Sequence, residues 1–191
     1  MSIRGVTFDL DGTLANTLPI CYAVFRSVLL EHTGKAYSDA EIHSMFGPCE
    51  KGLIQRHAPD WEPAYEMFLR EYRAEHASCT SPFPGIVHLL NFLEERQILV
   101  AVVTGKGPES AAISLEALGL SERFEIVEAG TPEGAIKSES LRRVLAHWKI
   151  NAETLVHVGD AANDIRSAHE VGAWSVAACW APTANRQRLD A

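Results

Sequence analysis

The sequence predicts an α/β protein: a parallel sheet of five strands, helices on both faces, and an all-helical insertion after the first strand. Three observations carry this. Five short apolar runs are spread along the chain, amphipathic helical patterns lie between most of them, and one long stretch breaks the alternation. Strands that alternate with helices make a sheet buried on both faces.

Ile3–Leu10 reads as the first buried strand, with Val6, Phe8 and Leu10 among other apolar residues and charge arriving only at its end. Between Thr17 and about Ser81 there are helices and no convincing strand. Thr17 is placed to cap a helix with Pro19 in its first turn and Cys21, Tyr22, Phe25, Val28 and Leu29 on its apolar face. Ser38 and Glu41 have capping-box spacing, and Gly47 can stop that helix. Pro63 starts another, carrying Tyr65, Phe68, Leu69 and Tyr72. A parallel crossover needs only about a dozen residues, so this connection reads as an inserted cap, residues 17–81, on a core made of 1–16 and 82–191. Ser81–Gly85 is the hinge by which the chain returns. Helix Pro84–Arg96, strand Ile98–Val103 and helix Pro108–Leu118 follow, then strand Phe124–Glu128 and helix Ser138–Trp148. Strand Leu155–Val158, helix Ala162–Val171, stopped by Gly172, and strand Trp174–Ala178 complete the alternation.

With 191 residues, 47% of them hydrophobic, the chain can bury one good core and a small appended domain. A formal charge of −8 and no Lys/Arg cluster argue against nucleic acid as a partner. No run is long enough to span a membrane, and the N-terminus lacks the pattern of a signal peptide. Cys21, Cys49, Cys79 and Cys179 have no CxxC spacing, which fits a reduced, cytoplasmic protein.

Four motifs fall after the C-terminal ends of strands or in loops on that side. The first is Asp9–Leu10–Asp11–Gly12–Thr13, where two carboxylates two residues apart point the same way on an extended chain. The second is Thr104–Gly105–Lys106–Gly107, whose hydroxyl and backbone N–H groups can hold phosphate oxygens beside the helix start at Pro108. The third is Lys137, before a helix, and the fourth is Gly159–Asp160–Ala161–Ala162–Asn163–Asp164, with Asp160 and Asp164 four apart across a helix start. Each has a plainer account alone: a turn, a ligand-free glycine connection, a surface lysine, a helix cap. Their combination on one sheet edge is more specific. If the strand order is 3-2-1-4-5, strands one and four flank the reversal where open α/β sheets bind ligands, which puts Asp9 and Asp11 beside Asp160.

Four carboxylates in one crevice repel, at about 4 kcal/mol for each pair ~4 Å apart in an effective dielectric near 20. They must take up protons or a cation, and hard oxygen donors at a phosphate site favour Mg²⁺. Lys137 adds positive charge. Asp9 can then attack phosphorus in line, while Asp11 protonates the leaving oxygen and later deprotonates the hydrolytic water.

The four motifs, in this order from Val6 to about Ala178, resemble the haloacid-dehalogenase superfamily, and within it the phosphoglycolate-phosphatase-like branch. The resemblance implies a Rossmann-like core with a small helical cap and hydrolysis of a small phosphorylated metabolite through an aspartyl-phosphate. Asp9 would be nucleophile and Mg²⁺ ligand, and Asp11 general acid/base with its backbone carbonyl on the metal. Thr104, Gly105 and Lys137 would hold the phosphoryl group; Asp160 would bind the metal, with Asp164 supporting it directly or through water. Three departures stand out. Thr-Gly-Lys replaces the Thr-Asn-Lys frequent in close relatives, Ser138 stands where Pro is common, and the chain ends soon after strand five, where similar proteins carry another helix. A dehalogenase is disfavoured because Asp11 is present. A phosphonate hydrolase would need a cap lysine, and Lys35 and Lys51 have no supporting context. A phosphomutase, similar to β-phosphoglucomutase, and a non-catalytic phosphate-binding module remain as alternatives. The substrate is not legible: Arg56, His57, Arg70 and Arg73 of the cap could meet an anion, though solvated helix-face charges are the simpler account.

Overall fold

The computed structural model describes residues 2–182 and Ala184. Five parallel strands, β1 (Gly5–Phe8), β2 (Leu99–Val103), β3 (Ile126–Glu128), β4 (Leu155–Gly159) and β5 (Trp174–Ala177), form one sheet in the order β3-β2-β1-β4-β5. The predicted order is therefore the observed one, with its reversal between β1 and β4. There Phe8 pairs with Val158, so the residues that follow each strand emerge side by side.

Helices α5 (Ile86–Glu95) and α6 (Pro108–Ala117) cover one face, packing Leu90, Leu93 and Leu115 on Val6, Phe8 and Val102. Helices α7 (Lys137–Trp148) and α8 (Ala162–Val171) cover the other, packing Leu141, Val144 and Ala168 on Ala101, Val103 and Leu155. Alternation along β1 explains the split: Val6 and Phe8 face α5 and α6, and Gly5 and Thr7 face the opposite way. A Cβ at Gly5 would come within 2.7 Å of the Trp148 ring, so this position admits the indole only as glycine. The helix stop expected at Gly172 is there, in the left-handed conformation at φ 78°.

The insertion contains α1 (Leu18–Thr33), α2 (Asp39–Ser44), α3 (Glu50–His57) and α4 (Trp61–Glu75). Val24, Phe25, Leu53, Ile54, Phe68 and Tyr72 build a third apolar cluster, which α6 joins through Ile113. The Ser38–Glu41 capping box forms as expected, but α2 ends at Ser44, before Gly47. Helix α4 begins two residues ahead of Pro63, which sits in the first turn where no backbone N–H is needed. Helix α3 has no counterpart in the sequence reading: it is short, polar and contains Gly52. The two connections between insertion and sheet lie together, Phe83 donating its N–H to the Leu14 carbonyl at 2.8 Å. Among the described residues no helix is long and apolar enough to cross a membrane. The chain end, where similar proteins carry a further helix, lies largely outside the described residues.

Candidate active site

The site lies at the β1/β4 reversal. Strand β1 stops at Phe8 instead of running to Leu10, because the Leu10 carbonyl accepts the N–H groups of Thr13, Leu14 and Ala15 and folds the chain into a turn. Asp9 keeps the sheet pairing by donating its N–H to the Val158 carbonyl at 2.8 Å. Gly12 adopts φ 73°, and a Cβ there would overlap Asp160 Oδ2. Glycine thus lets the first motif turn while the Asp160 carboxylate packs directly against its backbone.

Asp9 is almost fully buried. Its Oδ2 lies 3.0 Å from Lys137 Nζ, and the same ammonium pairs with Asp164. Asp164 also receives the N–H of Ala161 at 2.9 Å and lies 3.2 Å from His157 Nε2, while His157 Nδ1 meets Thr7 Oγ1 at 2.9 Å. A buried polar chain therefore runs Thr7–His157–Asp164–Lys137–Asp9 beneath the crevice. Burial alone would raise Asp164, but Lys137 and His157 hold it well below the usual carboxylate range. Burial would lower Lys137, yet Asp164 and Asp9 push it above the ordinary lysine value. Asp9 is raised by burial and by the negative charge of Asp164 and Asp11, against the opposing pull of Lys137. Asp160 is pushed up to about 8, first by burial and then by Asp9 and Asp164.

One ammonium does not neutralise this group. Asp9, Asp160 and Asp164 each place an oxygen within 4.8 Å of the others'. Asp9 Oδ1 is buried with no hydrogen-bond partner among the described residues. A buried, unpaired carboxylate oxygen beside a carboxyl that holds its proton is a donor set short of one cation. Its all-oxygen chemistry suits a hard divalent ion. Both Asp164 oxygens already have partners, so Asp9 and Asp160 are the freer donors. The Asp11 side chain turns elsewhere: Oδ1 accepts from the Thr17 hydroxyl and Oδ2 lies 3.3 Å from Lys106 Nζ. Thr17 thus stands at the start of α1 without capping it through its side chain.

A cavity of about 460 Å³ opens above these groups, roofed by the insertion, with Thr104, Gly105 and Lys137 on its wall beside Asp9, Asp11 and Asp160. The structure brings all seven residues of the four motifs together: six line the cavity, and Asp164 lies just beneath them, within reach of Asp9 and Asp160. Arg56, His57, Arg70 and Arg73 do not line the cavity. Arg56 binds the Pro132 and Glu133 carbonyls, and Arg73 pairs with Glu116.

Sequence reasoning passed over Glu50, His157, Thr7 and the part played by Lys106. Glu50, at the start of α3, accepts from Gly107 N–H at 2.6 Å and Ser110 Oγ at 2.8 Å, and lies 3.1 Å from Lys106 Nζ. The signal for His157 was present: an imidazole inside an apolar strand needs a buried partner. Glu50 gave no such signal, since a glutamate at a helix start is ordinary.

A family model described as haloacid dehalogenase-like hydrolase matches residues 6–178. The chain is 32% identical to a phosphoglycolate phosphatase of Chromobacterium violaceum, over 92% of this chain and 84% of that protein. It is 31% identical to a phosphoglycolate phosphatase of Cereibacter sphaeroides, over 88% and 81%. Among solved structures, CbbY from Rhodobacter sphaeroides in complex with phosphate superposes with a TM-score of 0.79 at 22% identity, over 92% of this chain and 85% of that one. A predicted phosphoglycolate phosphatase from Haemophilus somnus gives 0.74 at 24% identity, over 93% and 85%.

Proposed function

Since the chain belongs to the haloacid dehalogenase-like hydrolase family, in its phosphoglycolate-phosphatase-like branch, we propose that this phosphatase hydrolyses a small phosphate monoester through an aspartyl-phosphate on Asp9. The observation that carries the reading is Asp9 itself: Oδ2 held by Lys137 at 3.0 Å, Oδ1 buried and unpartnered, both at the floor of a roofed cavity.

The phosphoryl group sits between Asp9, the Thr104 hydroxyl, the Gly105 backbone and Lys137, at the N-terminal end of α6. An Asp9 oxygen forms its bond to phosphorus as the bond to the leaving oxygen breaks, and Asp11 gives that oxygen a proton. Water then attacks phosphorus, Asp11 takes its proton, and release of phosphate restores the Asp9 carboxylate. In this structure Thr17 and Lys106 hold the two Asp11 oxygens, so Asp11 leaves one of these contacts when it reaches the leaving oxygen. Asp9 and Asp160, with the main-chain carbonyl of Asp11, would hold Mg²⁺, and Asp164 supports them through Lys137. When bound, the ion supplies positive charge for the phosphoryl oxygens. Residues 17–81 act as a lid on the core of 1–16 and 82–191, excluding water during attack and opening for release.

The experiment is a panel of phosphate monoesters assayed with Mg²⁺ and with excess EDTA. Hydrolysis that needs the metal and is lost in Asp9→Asn supports the reading. Full turnover in EDTA, or a substantially active Asp9→Asn protein, overturns it.

A further inference from the structure

The part of the cavity beyond the phosphoryl site is built to refuse a second negative charge. Among the described residues its lysines are Lys137, committed to Asp9 and Asp164, and Lys106. The Lys106 side chain is 2% exposed. Its Nζ lies 3.3 Å from Asp11 Oδ2, 3.1 Å from Glu50 Oε1 and 3.2 Å from Cys21 Sγ, and 4.3 Å from the centre of the Tyr72 ring. The Cys21 contact has hydrogen-bond geometry, and Asp11 and Glu50 hold the ammonium as close ion pairs, so its charge is already shared between two carboxylates. Glu50 cannot step aside cheaply, because its carboxylate also holds Gly107 N–H and the Ser110 hydroxyl at the start of α6. An anionic tail on the substrate would meet Glu50 with no free lysine or arginine beside it among the described residues. Among the described residues no arginine lines the cavity. His43 does, and its Nδ1 is engaged by the Tyr22 hydroxyl at 3.0 Å, leaving one ring nitrogen for a single hydrogen bond.

Leu18, Phe25, Phe46, Pro48 and Leu53 give the insertion's side of the wall an apolar surface. At about 30 Å³ for a water-sized group, a cavity of about 460 Å³ has room well beyond a phosphate and a two-carbon acid. Resting on the phosphatase reading above, we propose that the substrate is a phosphate monoester whose leaving alcohol is uncharged, largely apolar and bulkier than glycolate, and that Glu50 sets this preference.

The test compares kcat/KM for benzyl phosphate and 2-phosphoglycolate with Mg²⁺, in the wild-type protein and in Glu50→Gln. Benzyl phosphate should be favoured by about tenfold or more in the wild type. Glu50→Gln frees Lys106 for a carboxylate, so the gap should narrow by a relative gain for 2-phosphoglycolate; a merely structural loss would lower both esters together. Equal or better turnover of 2-phosphoglycolate by the wild type overturns the proposal, whatever the variant does. An unchanged ratio in a folded Glu50→Gln protein overturns the part given to Glu50. Turnover of neither ester, nor of any other monoester, overturns the phosphatase reading itself.

Discussion

Replacing Lys137 with Met removes the one ammonium set between two buried carboxylates. The side chain is 9% exposed, Asp9 lies 3.0 Å away, and Asp164 is fully buried on its other side. Taking one partner out of a buried pair costs about 3–5 kcal/mol, because the remaining charge is left without compensation. Here two carboxylates lose the same partner, which puts the expected loss at the upper end, about 5 kcal/mol in metal-free buffer. Urea unfolding at neutral pH in EDTA measures it as a lowered midpoint with little change of slope. Adding Asp164→Asn to the Met variant removes one stranded charge and should return about 2 kcal/mol, a coupling that independent sites would not show. Mg²⁺ should stabilise the single variant more than the wild type, since its charge substitutes for the lost ammonium. If Lys137→Met costs less than about 1 kcal/mol, the pair behaves like an exposed one and the electrostatic account of the crevice is wrong.

Two further outcomes follow from the same geometry. Asp160 stands at about 8 in the folded chain against an ordinary 3.8, so between those values the folded state holds a proton that the unfolded state has released. Metal-free stability contributed by this group therefore falls as pH rises through that window. Relative to wild type, Asp160→Asn should gain stability between pH about 5 and about 8; parallel curves for the two proteins in a pH series of denaturant melts would remove Asp160 as the proton holder. Gly12→Ala forces a side chain into a backbone at φ 73° and into the place of the Asp160 carboxylate. It should cost about 1–2 kcal/mol and weaken Mg²⁺ binding about tenfold or more, and calorimetry showing unchanged Mg²⁺ affinity would contradict the packing argument.

Elements with strong local signals were legible in the sequence. The apolar runs gave all five strands, and Ser38/Glu41 and Gly172 gave their helix ends. Asp9, Thr104, Lys137 and Asp160 were found because each follows a strand or begins a helix at the ligand-binding edge. Contacts between distant segments were not legible. Thr17 has every local mark of a helix cap, yet its hydroxyl goes to Asp11, six residues back. Glu50 and Lys106 are 56 residues apart by their numbers, and nothing local to either says that they pair. Helix α3 escaped because eight mostly polar residues around a glycine make no amphipathic stripe. Its Gly52 matters through a neighbour instead: a Cβ there would overlap the Pro132 carbonyl, so the close seating of the cap on that loop requires glycine.

The central claim is that phosphorus passes through a covalent bond to Asp9. The most direct measurement is to mix the protein with a hydrolysable monoester and Mg²⁺, quench in acid within the first turnover, and map the mass of its peptides. The account predicts one phosphoryl group, labile at alkaline pH, on the peptide holding Asp9 and absent from Asp9→Asn. A protein that turns over rapidly yet never carries phosphoryl on that peptide, at any quench time, would contradict it.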